Sequence, residues 1–128
     1  MVRIYRVEDA ERAQRTGYEA AYVADLSFRE SLDSCGVILV NIEGSGRTSP
    51  HAHEHLEEAF IALSDLFLYI GEERLELKNG DVVIVEPGEE HSFESTIHKP
   101  VRVIALKFPN IKDDKIVPNR GIENQNSP

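Results

Sequence analysis

From Gly36 to Phe108 the chain is a succession of short apolar runs, each cut off by residues suited to a tight turn. Gly36 to Ile42 is a β-branched run of strand length, and Ala59 to Leu63, Leu66 to Ile70, Val82 to Val85 and Val101 to Phe108 are further apolar runs that read as strands. Arg74-Leu75-Glu76-Leu77 alternates charged and apolar side chains, as a strand does with one face in water. Between these runs stand Ser64-Asp65, Gly71-Glu72, Lys78-Asn79-Gly80-Asp81 and Pro87-Gly88. Asn-Gly is a strong turn signal because both residues tolerate positive φ, and Ser64-Asp65 predicts a hairpin between its two flanking strands. Strands recurring every eight to twelve residues or so, with no helical period between them, predict an all-β fold: an antiparallel sandwich or barrel. The N-terminal signals are weaker. Residues 2 to 7 alternate well enough for a short edge strand, Glu8 to Arg15 suits a helical turn or a loop equally, and Tyr18 to Leu26 is mixed.

A length of 128 residues suits one domain with one core, placed over residues 36 to 108, followed by a polar tail over 109 to 128 that is expected to fray at its end. No apolar run reaches the roughly 18 residues that span a bilayer. Met1-Val2-Arg3-Ile4-Tyr5-Arg6 lacks the apolar stretch of a signal peptide, so a cytoplasmic protein is expected. The formal net charge of −9 disfavours nucleic acid and anionic membranes as partners, since both would repel the chain. Cys35, the single cysteine, excludes an intramolecular disulfide and a cysteine-based zinc site, and its apolar neighbours predict a small buried side chain.

The chemistry concentrates in His51-Ala52-His53-Glu54-His55-Leu56-Glu57-Glu58, which follows the loop Gly44 to Pro50. Alternate residues of a strand share a face, so His51 and His53 can grip one ion. Imidazole and carboxylate suit Fe, Mn, Ni, Cu or Zn. Downstream, the strand Val82 to Val85 runs into Pro87-Gly88 and then presents His91, which can face the first cluster across the fold.

With these residues in place the chain resembles the cupin superfamily, over about residues 44 to 95. His51 and His53 match the family's H-x-H pair, Glu58 or Glu57 its glutamate, and Gly80, Gly88 and His91 the second motif. Asp65 or Ser64 stands where the first motif closes on glycine, Glu86 replaces the proline of the second motif, and Ser95 its asparagine. The resemblance implies a double-stranded β-helix, or jelly roll, and a divalent transition metal held by His51, His53, Glu58 and His91. Strict alternation favours Glu57 as the acid; alignment from the downstream turn favours Glu58 and demands an irregular step after His53 to reset the strand phase. His55 is read as a solvent-facing residue or a hydrogen-bond donor behind the ligands, and His98, beside Lys99-Pro100, as a surface histidine.

Three histidines and one carboxylate leave coordination positions for water, oxygen or substrate. With such a site, the resemblance implies a small-molecule metalloenzyme of dioxygenase type or related. A non-catalytic metal- or metabolite-binding module and a sugar-phosphate isomerase are the alternatives. The isomerase would draw on Arg47, Arg102 or Lys107 to hold phosphate. Phe60, Ile84 and Phe93 are candidate pocket walls, and exposed strand edges lead to the expectation of a homodimer.

Overall fold

The computed structural model describes residues 1–28, 34–111 and 113–116. Its strands are β1 (Arg3–Tyr5), β2 (Glu11–Arg15), β3 (Tyr18–Tyr22), β4 (Gly36–Ile42), β5 (Ala52–His53), β6 (Glu57–Ala62) and β7 (Leu66–Ile70). They continue as β8 (Glu73–Leu77), β9 (Val82–Val85), β10 (His91–Ser95), β11 (Val101–Phe108) and β12 (Lys115–Ile116). Among the described residues the only helix is one 3-10 turn, Val7–Asp9, so none is long and apolar enough to cross a membrane.

Two antiparallel sheets enclose the core: a five-stranded one in the order β1-β9-β6-β11-β4 and a three-stranded one in the order β10-β7-β8. Alternation decides what each strand contributes. Phe60 and Ala62 of β6, Val83 and Val85 of β9, and Val103 and Ala105 of β11 share one face and meet Leu66, Leu68, Leu77 and Phe93 of the smaller sheet. Phe60 and Phe93 pack edge to face with ring centres 4.9 Å apart, the geometry that the ring quadrupole favours. Ala59 and Ile84, on the other face of the large sheet, are also fully buried, which accounts for the unbroken apolar sequence of β9. β8 covers one face only, and Arg74 and Glu76 point to water as its alternation requires.

The Ser64-Asp65 turn is not a hairpin. β6 pairs with β9 and β11, whereas β7 pairs with β8 and β10, so the chain changes sheets at residues 63–65. It changes back near Asn79-Gly80, and the two corners are bonded: Asp65 Oδ1 accepts from the Asn79 amide at 2.9 Å, and Gly80 N–H donates to the Ala62 carbonyl at 2.7 Å. A turn signal marks where the chain bends but carries no information on which strand lies beside the next. The predicted N-terminal edge strand is β1, paired to β9. Glu8 to Arg15, open between a helical turn and a loop, begins in the 3-10 turn Val7–Asp9 and ends as half of a β2-β3 hairpin turning at Gly17, whose φ of +84° suits glycine.

Cys35 corrects an expectation: it is exposed, because it precedes a strand at the sheet's edge rather than lying under it. The tail is also more structured than its polarity suggests. Residues 113–116 fold back so that β12 pairs with β5, while the fraying expected at the end of the tail, residues 123–128, lies outside the described residues.

Candidate metal centre

His51 and His53 from the stretch at β5, Glu58 from β6 and His91 from β10 meet with one ligand atom each, all within 4.8 Å of one another. His51 and His91 are tied by a reciprocal pair of backbone hydrogen bonds, 3.1 Å from the His51 amide and 2.9 Å from the His91 amide. The Gly88 amide donates to the His53 carbonyl at 2.8 Å, so the Pro87-Gly88 turn clasps β5 just before delivering His91. At Gly88 φ is +85°, a conformation in which a side chain would be strained.

The irregular step after His53 is present and has an identifiable cause. The Asp114 carboxylate accepts hydrogen bonds from the amides of His55 (2.9 Å) and Leu56 (3.0 Å), and the Asp114 carbonyl accepts one from Glu54 (3.0 Å). These three bonds hold residues 54–56 out of the strand, and β6 restarts one step out of phase. Glu58 therefore joins His53 on the inner face. Glu57 falls on the other side, where its Oε2 lies 3.3 Å from Arg3 Nη2. Asp114 is the residue that sequence reasoning missed, since nothing in a polar tail marks it as a clamp on a loop 58 residues away. Asp114→Ala is expected to weaken metal binding about tenfold, the usual scale for a group that orients a ligand. Asp114→Asn, which keeps an accepting oxygen, should recover most of that loss in a metal titration. Equal losses in both variants would count against the clamp.

The electrostatics of the cluster follow from its burial. His53, Glu58 and His91 are buried and His51 is partly so. Burial, followed by the neighbouring His91, Lys115 and His53, holds the His51 imidazole down to about 3. Burial pushes the Glu58 carboxyl up, but the facing His53 and His91 rings outweigh it and bring it to about 2. Neutral imidazole beside ionised carboxylate is the state in which both donate lone pairs to a metal. His91 Nδ1 sits 3.0 Å from the Glu89 carbonyl and His51 Nδ1 3.4 Å from that of Ser49, contacts that favour the proton on Nδ1 and leave each Nε2 to ligate.

His53 Nε2 and His91 Nε2 lie 3.0 and 3.3 Å from Glu58 Oε1. These are close approaches without the alignment of hydrogen bonds, and all three atoms are buried without a hydrogen-bond partner. An unsatisfied buried polar atom costs about 1–3 kcal/mol. Three converging on one point are explained by a cation between them, so the donor set fits a divalent transition ion.

Other candidates lie apart. The His55 side chain is 67% exposed, and His98 is exposed with a positive φ of 55°. Phe60 reaches the site, its ring centre 5.4 Å from that of His91, and Phe93 packs behind it; Ile84 faces away. Arg47 is bound elsewhere, to Ser92 Oγ and the Gly71 carbonyl and over the Tyr69 ring. Arg102 is exposed opposite Asn41 on the outer face. Of the three basic residues considered from sequence, only Lys107 stands on the site's side, directly across from Glu58.

Residues 38–107 match the family model of the cupin domain, more than half of the chain. The chain belongs to the cupin family. Its architecture agrees with solved structures that share little sequence with it. A Klebsiella pneumoniae protein with a double-stranded β-helix domain aligns with a TM-score of 0.60 at 16% identity, over 70% of this cupin and 78% of that chain. A DMSP lyase, DddQ, from Ruegeria pomeroyi gives 0.60 at 19% identity, over 70% and 46%. Salicylate 1,2-dioxygenase from Pseudaminobacter salicylatoxidans gives 0.53 at 10% identity, over 59% of this cupin and 21% of the dioxygenase. At such identities the likeness is one of fold. No curated protein matches this cupin in sequence.

Proposed function

We propose that this cupin is a metal-dependent enzyme of dioxygenase type acting on a small organic molecule, with His51, His53, Glu58 and His91 holding one divalent Fe, Mn, Ni, Cu or Zn ion. The convergence of Glu58 Oε1, His53 Nε2 and His91 Nε2, all buried and without hydrogen-bond partners, carries the reading. The ion would supply Lewis-acid polarisation of a substrate oxygen pair, or a place for oxygen beside it. The protein's own residues supply the rest: Glu58 holds one negative charge in the site, the carbonyls of Ser49 and Glu89 hold the rings in register, and Phe60 gives an apolar wall beside His91.

Fold alone does not select the reaction, and the structural neighbours include both a dioxygenase and a lyase. The sugar-phosphate alternative loses support from Arg47 and Arg102, since one is engaged and the other faces outward. Metal analysis of the purified protein, then oxygen consumption with catechols, thiols and diketones after iron is restored, tests the proposal. Uptake with one class is expected. No uptake with any of them would sink the oxygenase reading and leave a non-oxidative enzyme or a binding module.

We take the working form to be a cytoplasmic homodimer. The free edge of β4 supports the pairing: Val37 and Leu39, 71% and 49% exposed, sit on an uncharged strand unpaired on that side among the described residues. An apolar edge of this kind invites a second strand.

A further inference from the structure

A second group of ligating side chains lies outside the metal centre and shares no residue with it. Glu54, His55 and Asp114 each bring one nitrogen or carboxylate oxygen to within 4.8 Å of the others. Consecutive residues of a regular strand point to opposite faces, so Glu54 and His55 meet only because residues 54–56 leave the strand between β5 and β6. Asp114 enforces that departure through its bonds to the Glu54, His55 and Leu56 amides, and so fixes the backbone beneath both partners. A chelate of three side chains is thereby assembled in advance, from one segment beside β5 and one beside β12.

Asp114 supplies an independent reason to place a cation there. It is only 7% exposed, and among the described residues no lysine or arginine pairs with it. Its Oδ2 takes both the His55 and the Leu56 amide, and among the described residues no hydrogen bond falls on Oδ1. Buried charges are paired with an opposite charge or coordinate a metal. The other two groups stand ready on the surface: His55 Nε2 lies 3.8 Å from Glu54 Oε1, on side chains 67% and 64% exposed. That separation is too long for a hydrogen bond, but ligand atoms each about 2.1 Å from one ion stand roughly 3–4 Å apart. Carboxylates alone would suit a hard ion such as Ca2+, whereas the imidazole moves the preference to Zn2+, Ni2+ or Cu2+.

We propose that Glu54, His55 and Asp114 form a second, outer site for a divalent transition ion, with water completing the coordination on its exposed side. Its three ligands are independent of the inner cluster and of whether that cluster holds an ion. An ion there joins residues 54–55 to residue 114, and so braces the same clamp that turns Glu58 toward His53.

Calorimetric titration of the full chain with Zn2+, after bound metal has been removed by a chelator, provides the test. Two equivalents per chain are expected, a tight one at the inner cluster and a weaker one at the exposed outer site. His55→Ala and Glu54→Gln alter surface side chains and leave the core intact. Each should weaken the second equivalent by more than about tenfold, the least expected when a ligand itself is lost, without changing the tight one. Asp114→Asn keeps an oxygen for the two amides but removes the charge, and should also weaken the second equivalent. His91→Ala should do the reverse, and excess Ca2+ should leave the outer site occupied by Zn2+. The outer site is overturned if the parent binds a single equivalent that is lost in His91→Ala, if the weaker equivalent survives both His55→Ala and Glu54→Gln, or if Ca2+ displaces it. A single equivalent that survives His91→Ala and is lost in His55→Ala would leave the outer site standing and remove the inner metal reading.

Discussion

Glu58→Gln and His91→Ala are each expected to lower metal affinity by more than about 100-fold, beyond the range typical of residues that only orient a ligand. Glu57→Gln, one position away, should leave it unchanged. The contrast follows from strand phase. Glu58 shares the inner face with Val85 and Lys107, its register partners, whereas Glu57 faces Arg3 on the other side of the sheet. Glutamine preserves the shape of glutamate while removing the charge, so the Glu58 result reports coordination rather than misfolding. Metal content after dialysis, read beside thermal melting of the same samples, checks it. Full retention in His91→Ala, or loss in Glu57→Gln equal to that in Glu58→Gln, would overturn the ligand set.

The second large effect concerns stability, at Asp81. This carboxylate is fully buried; Oδ1 accepts from the Val7 amide at 3.0 Å, and Oδ2 from Arg6 Nη1 at 2.6 Å and the Lys78 amide at 2.8 Å. It therefore ties the N-terminal segment to the corner at which the chain re-enters the large sheet. Asp81→Ala strands the Val7 and Lys78 amides at once and takes the carboxylate from Arg6, whose Nη1 keeps its bond to the Glu76 carbonyl, and should cost about 2–5 kcal/mol. Burial pushes the Asp81 carboxyl up, but the Lys78 and Val7 amides and Arg6 outweigh it and hold it below its ordinary 3.8. A carboxyl depressed on folding contributes stability in full above its unfolded value, and that contribution is lost as pH falls through the lower folded value. Urea unfolding at pH 7 and near pH 3 should thus show a wide gap between parent and variant that narrows in acid. A gap of constant width would show that Asp81 acts through packing alone.

Much of this fold is legible residue by residue. β4, β7, β9 and β11 fall where apolar runs rich in β-branched or aromatic residues lie between turn residues, because such side chains pack well on a pleated, buried surface. Pairing is less legible. The Ser64-Asp65 corner reads locally as a hairpin, yet the core is filled only if the chain crosses there from one sheet to the other. Cys35 shows the same limit: its apolar neighbours suggest burial, but an edge strand leaves the residue before it in solvent.

The sequence by itself determined the all-β class, the family resemblance and, through that resemblance, His51, His53 and His91 with one of two neighbouring glutamates, because turn chemistry, side-chain alternation and histidine spacing are local properties. Only the tertiary structure decided between Glu57 and Glu58, since the phase of β6 is set by Asp114, a residue distant along the chain that bonds to the amides of His55 and Leu56. It likewise put Lys107 on the site's side and left Arg47 and Arg102 outside it. Long-range backbone pairing determines which face a side chain occupies, and no local pattern encodes it.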